Sequence, residues 1–143
     1  MRQYGEGVKE DALRLLCGEK IGSGSGRDVY VFEPDPAYVI KIEASAGCYQ
    51  NILEWENWKL LKDGKFAKYF APCKLISPFG CALVMRKTER LPVSVKFRAP
   101  RFLRDVKGEN FGMIGKDVVC HDYAHLAFRV NDRIIPIELS RIE

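Results

Sequence analysis

The chain has 143 residues, of which 47% are hydrophobic and 29% charged, with a formal net charge of +4. That length suits one domain with a buried core, and the composition excludes a disordered chain. No apolar run is long enough to span a bilayer and the N-terminus carries no apolar signal core, so a cytoplasmic protein without membrane association is expected.

Residues 8–16, "VKEDALRLL", have helical spacing behind an acidic first turn. "GEKIGSGSGRDVYVF" then reads as strand, glycine turn and strand, the second strand rich in strand formers from Val29 to Phe32. "EPDP" breaks the chain, and "AYVIKIE" supplies a third strand, with Val39 and Lys41 on one face and Ile40 and Ile42 on the other. "YQNILEWENWKLLKDG" is a helix ended by Gly64. "CKLISPFGCALVMR" predicts two short strands around a Pro-Phe-Gly turn, and "DVVCHDYA" another short strand. "FRVNDRIIPIEL" resembles a closing hairpin with Asn131 and Asp132 at its tip.

The five cysteines, Cys17, Cys48, Cys73, Cys81 and Cys120, are odd in number and include no Cys-x-x-Cys pair. They argue against a disulfide framework and a zinc ribbon, and most read as small buried hydrophobes. His121 and His125 stand four apart, but two histidines are too few for a phosphohydrolase metal site and read as structural. Trp55 and Trp58 read as packing aromatics. The basic stretch from Lys87 to Lys107, with Phe97 and Phe102 interleaved, fits a solvated loop face better than a polynucleotide site, so nucleic acid is not an expected partner.

Three groups of residues carry chemistry. Gly22, Gly24 and Gly26 tolerate the close backbone approach that points amides at phosphate oxygens, although a Ser/Gly hairpin turn would use them too. A strand rather than a helix follows, and no Gly-Lys-Ser/Thr is present, so neither a dinucleotide fold nor a Walker loop fits. Lys41, in a nearly apolar strand, would reach phosphates if a carboxylate held its ammonium; Glu56, flanked by Ile52 and Leu60, is favoured over Glu54. In "LRDVKGEN", Asp105 is a proton acceptor and Lys107 a counter-charge two residues on. Asn110 and the later Asp122 are hard oxygen donors suited to Mg²⁺.

In that order, these segments resemble the protein kinase-like superfamily across residues 22–124. "IGSGSGRDV" resembles its glycine loop, "VIK" its strand lysine and "NILEWENWKLL" its glutamate helix. "CALVMRKTE" is similar to the strand entering its hinge, "LRDVKGEN" to its catalytic loop, and "HDYA" stands where the family carries Asp-Phe-Gly. Arg27 replaces the third glycine, Leu103 the usual histidine, and Tyr123-Ala124 the Phe-Gly pair. The resemblance is to a truncated member, like the compact kinase-like proteins of some bacteriophages.

It implies an α+β fold: one domain over residues 1–143, with a kinase-like N-lobe at 1–88 (antiparallel sheet plus one helix) and a much reduced C-lobe at 89–143. It also implies that Gly22, Ser23, Gly24, Gly26 and Val29 cover the nucleotide, that Lys41 pairs with Glu56, and that Met85 lines the adenine pocket. Asp105, Lys107 and Asn110 would be catalytic, and Asn110 and Asp122 would hold the metal. The implied cofactors are ATP and Mg²⁺, and the implied activity is γ-phosphate transfer to a protein Ser/Thr hydroxyl or, second, to a small hydroxyl-bearing molecule. The other reading is a pseudokinase-like module that inhibits or redirects a partner protein without catalysis.

Overall fold

The computed structural model describes residues 11–24, 26–43, 48–103 and 106–140. It is a mixed α+β structure, mostly antiparallel sheet with few helices. The chain forms two compact units, one of residues 1–51 and 74–87, the other of residues 52–73 and 88–143.

In the first unit, residues 11–16 are helical and lead into a five-stranded sheet. Its strands are β1 (Cys17–Ser23), β2 (Arg27–Phe32), β3 (Tyr38–Glu43), β4 (Cys73–Ile76) and β5 (Ala82–Arg86), ordered β1-β2-β3-β5-β4. The expected strand, glycine turn, strand and third strand are all present. "EPDP" turns β2 into β3 through an Asp35 carboxylate that accepts the Ala37 N–H at 3.1 Å, the local bond that suits aspartate to turns. Alternation then sorts the two faces. Tyr30, Ile40 and Val84 are cross-strand neighbours and join Phe32 in one apolar cluster. Burying a side chain such as Ile40 contributes about 1.5–3 kcal/mol. The opposite face carries Val29, Lys41 and Leu83 in one row and Val31, Val39 and Met85 in the next. Leu83, Val84 and Met85 are all buried, so β5 is covered on both faces and its sequence is continuously apolar.

The helix Gln50–Leu61 begins against this unit. Its early Asn51 N–H, which has no intrahelical acceptor, donates to Glu43 Oε1 at 2.7 Å. A carboxylate at a helix N-terminus is also favoured by the helix dipole. The fully buried Asn51 amide donates to the Lys41 carbonyl and accepts from the buried Arg27 guanidinium, each at 3.0 Å.

The side of the helix expected to pack is the exposed one: Ile52 is 37% and Leu60 61% exposed. Buried positions fall instead at Asn51, Glu54 and Leu61, a three- and seven-residue spacing that marks one face. Apolar content misled because two of these three residues are polar.

The second unit packs around aromatic rings. Phe102 meets Phe66 at 5.2 Å and Phe128 at 5.4 Å between centroids, both edge-on, the geometry favoured by the ring quadrupole. β7 (Phe111–Ile114) and β8 (Asp117–Cys120) form a hairpin with Gly115 at φ 61°, the left-handed backbone that a two-residue loop requires. Part of the basic stretch is a strand rather than a loop: β6 (Ser94–Pro100) pairs antiparallel with β9 (Ile134–Ser140).

That pairing corrects the expected closing hairpin. Ile134–Ser140 finds its partner at Ser94–Pro100, while Phe128 joins the aromatic cluster, and Asn131-Asp132 lies in a turn between them. No helix among the described residues is long and apolar enough to cross a membrane.

Candidate functional site

Backbone register brings the first group of site residues together. Gly22 is the cross-strand partner of Val29, Val29 of Lys41, and Lys41 of Leu83. Cross-strand partners share a face, so Gly22, Val29 and Lys41 stand side by side on the sheet, with Met85 one row away opposite Val39. Lys41 is only 5% exposed, which reverses the usual placement of a strand lysine.

β1 slips register between Lys20 and Gly22, and the glycine loop turns on a 2.8 Å bond from the Gly24 N–H to the Arg27 carbonyl. At its base the Ser23 hydroxyl donates to Asp28 at 2.6 Å, and Lys20 stands 3.3 Å from the same carboxylate. These two contacts, the hydroxyl first, hold the Asp28 carboxyl below its ordinary range. Neither Gly22 nor Gly24 has a positive φ. A Cβ on Gly22 would come no closer than 3.7 Å to Val29, and one on Gly24 no closer than 3.9 Å to the Arg27 carbonyl. Gly26, by contrast, is crowded by Gln50 and Cys48. Among the described residues, neither backbone conformation nor packing demands glycine at positions 22 and 24. Glycine in a strand costs stability and is retained where a ligand or another backbone must approach closely. Ser25 lies outside the described residues.

In the second unit, Lys107 is exposed and precedes the 3-10 turn Gly108–Asn110, whose last N–H donates to the Lys107 carbonyl at 3.0 Å. The Asn110 carbonyl accepts the His121 N–H at 2.9 Å, so Asn110 sits beside the strand end that leads to the exposed Asp122. Asp105 lies outside the described residues.

Asp122 is held from both sides. Before it, the His121 ring is tied twice. Nε2 faces the Glu109 carbonyl at 2.7 Å, and because a carbonyl only accepts, Nε2 carries the proton. In the neutral ring, Nδ1 then accepts from the Thr88 hydroxyl at 2.7 Å. With both nitrogens engaged, His121 is structural. After Asp122, the Tyr123 N–H donates to Glu54 Oε2 at 2.7 Å, and the Asn57 amide donates to the Tyr123 carbonyl at 2.7 Å and the Ala124 carbonyl at 3.2 Å. Tyr123 itself is buried and gives its hydroxyl to the Ala71 carbonyl at 2.7 Å. Burial, reinforced by the adjacent Cys73 thiol, pushes its phenol far above the ordinary range.

Glu54 is therefore the fully buried carboxylate of the helix, whereas Glu56 is exposed and pairs with Lys59 at 3.0 Å. Sequence reasoning passed over the polar clamps Asn51 and Asn57, ranked Glu54 behind Glu56, and read His121 as structural without finding its partners. The available signal was spacing: Asn51 and Glu54 recur three apart in phase with Leu61.

A pocket of about 770 Å³ opens in the same unit, bounded by residues 88–92 and 107–109, Phe111, His121 and the end of β9. Its wall is strapped to β7, since Glu89 and Met113 exchange both backbone bonds, at 2.8 and 2.7 Å. Gly112 makes the approach possible, because a Cβ there would collide with Thr88 and lie 2.9 Å from the Glu89 carbonyl.

Among the described residues no group of three His, Cys, Asp or Glu side chains gathers as a metal site. The donors that suit Mg²⁺ are the Asn110 amide and the Asp122 carboxylate, hard oxygens on adjacent, fastened segments. Comparison with protein-family models, curated proteins and solved structures finds no match to this chain.

Proposed function

We propose that the chain binds Mg·ATP as a reduced kinase-like protein and transfers the γ-phosphate to a hydroxyl. The observation that carries this reading is the row Gly22–Val29–Lys41, a buried cation beside glycines that neither φ nor packing among the described residues requires. Backbone at Gly22 and Gly24 approaches phosphate oxygens, and the Lys41 ammonium neutralises them. Met85, buried on the same face, bounds the base. In the second unit, Asn110 and Asp122 offer oxygen donors to Mg²⁺, which offsets charge on the phosphoryl oxygens. Glu54 and Asn57 act as positioning residues that fix the backbone following Asp122. Asp105 receives the acceptor's proton, and Lys107 screens the transferring group, by the roles their sequence spacing implies.

Thermal unfolding with and without Mg·ATP tests the reading, on wild type, Lys41→Met and Asp122→Ala. At about a hundred times Kd, ligand adds roughly 2.7 kcal/mol and raises the midpoint by several degrees. A shift in wild type that is reduced in both variants supports the site, and labelled transfer to an acceptor then separates a kinase from a binding-only module. No shift in well-folded wild type overturns nucleotide binding.

A further inference from the structure

We propose that the lysine-bearing turns from Lys62 to Lys68 are a docking surface for the phosphate backbone of duplex nucleic acid. This surface is independent of nucleotide binding and phosphotransfer, and it lies outside the basic stretch 87–107.

Residues 59–69, "KLLKDGKFAKY", carry Lys59, Lys62, Lys65 and Lys68, with Asp63 as the one carboxylate of the run. After the helix, three turns follow one another. The Gly64 N–H donates to the Leu61 carbonyl at 3.1 Å, Ala67 to Gly64 at 3.4 Å, and Phe70 to Ala67 at 3.1 Å. Lys62, Lys65 and Lys68 each stand second in their turn, and all three are exposed. Leu61, Phe66 and Phe70 are buried from the same turns, and both rings pack against Phe102. The core therefore fixes the run from beneath while the lysines repeat along its outer side.

The charges are available and restrained. Lys59 is paired with Glu56, but no carboxylate among the described residues lies within ion-pair distance of Lys62, Lys65 or Lys68. The Lys65 and Lys68 ammoniums sit over the rings of Phe66 and Tyr69, 5.0 and 5.4 Å from their centroids, which limits how far they swing. Like charges one turn apart repel, and a string of anions relieves that repulsion.

Among polyanions a duplex backbone fits this run best. It binds by releasing counterions and needs no apolar contact. An acidic protein surface would need an apolar centre, and Leu60 is the one large apolar side chain the run exposes. Peripheral binding to an anionic membrane takes clusters of roughly four to eight cations. A single strand is held by bases stacked on aromatic faces, but Phe66 is buried and Lys68 covers a face of Tyr69.

The test is fluorescence anisotropy of the full chain with a labelled DNA duplex of about twenty base pairs at rising salt. Three phosphate contacts predict a slope of log Kobs against log [salt] of about −2.7, or about a 40-fold loss of affinity between about 50 and 200 mM. Lys62→Gln/Lys65→Gln/Lys68→Gln should bind at least tenfold more weakly at the lower salt and lose most of that slope. The corresponding Lys→Arg triple variant keeps the charge and should bind as wild type does, which separates lost charge from lost folding. Asp63→Asn should bind more tightly. Absence of duplex binding by wild type at the lower salt overturns the assignment. So does an equal loss in Lys96→Gln/Arg98→Gln/Lys116→Gln, which removes the same charge from other exposed positions. Tighter binding of a single strand, of polyglutamate or of phosphatidylserine vesicles would give the surface to that partner instead and overturn the choice of a duplex.

Discussion

Glu54 Oε2 accepts the backbone N–H of Tyr123 at 2.7 Å, and the carboxylate that does so is fully buried. A charge removed from water is tolerated only when it is hydrogen-bonded, so this contact commits the helix to one placement of the residues after Asp122.

Truncating Glu54 leaves a buried N–H without this acceptor. Glu54→Ala is expected to lose about 1–3 kcal/mol, whereas Glu56→Ala, which breaks an exposed pair with Lys59, changes stability by less than about 0.5 kcal/mol. Urea denaturation of both variants checks this, and equal losses would contradict the assignment of Glu54 to the interior.

Asn51 joins the end of β3 to the start of the helix through three bonds, to Arg27, Glu43 and the Lys41 carbonyl. Asn51→Ala removes two partners from buried groups and is expected to cost about 2–4 kcal/mol. The backbone bond to Glu43 survives that change, so a further Glu43→Ala should add a smaller loss.

Tyr123 gives stability a dependence on alkaline pH. Its folded-state phenol ionises far above the ordinary value, so its contribution is complete below about pH 10, the ordinary tyrosine value, and declines as pH rises beyond it because the unfolded phenol ionises first. Tyr123→Phe should lose about 1 kcal/mol at neutral pH from the missing bond to Ala71 and flatten the alkaline slope. Unfolding free energies of both proteins at pH 7, 9.5 and 10.5 measure the difference; parallel curves would refute it.

Two glycines should part company on substitution. Gly112→Ala forces Thr88 or the Glu89 backbone to move and is expected to destabilise by about 1–3 kcal/mol. Gly22→Ala has room and an ordinary φ, so stability should hold or rise by about 0.5–1 kcal/mol while nucleotide affinity falls. Undiminished Mg·ATP binding in Gly22→Ala would remove the argument that this glycine exists for a ligand.

The five-stranded sheet was legible because its strands alternate or run wholly apolar and three of its four connections are short turns carrying Gly, Pro or Asp. Lys41 was legible for the same reason: period two fixes its face once the strand is known. The helix was found but rotated in expectation, since Glu54 and Asn51 hold buried positions that apolar counting assigns to Ile52 and Leu60. β9 was read as half of a local hairpin because turn signals report neighbours, whereas its partner is chosen by packing with a strand far back in the chain. The pocket left no trace in any one stretch, as its wall is assembled from segments far apart in the chain.

Because Pro100 pairs with Ile134 and Ser94 with Ser140, β6 must wait for a strand synthesised long after it. The five-stranded sheet needs nothing beyond Arg86. During translation, the first sheet therefore has its full set of strands while β6 still exposes its backbone edge. The loop that β9 closes contains the whole β7–β8 hairpin, a local structure able to form first and shorten the search. A chain stalled before residue 134 would present β6 as an open template for pairing with other chains, which makes the arrival of β9 the step that guards this protein against aggregation.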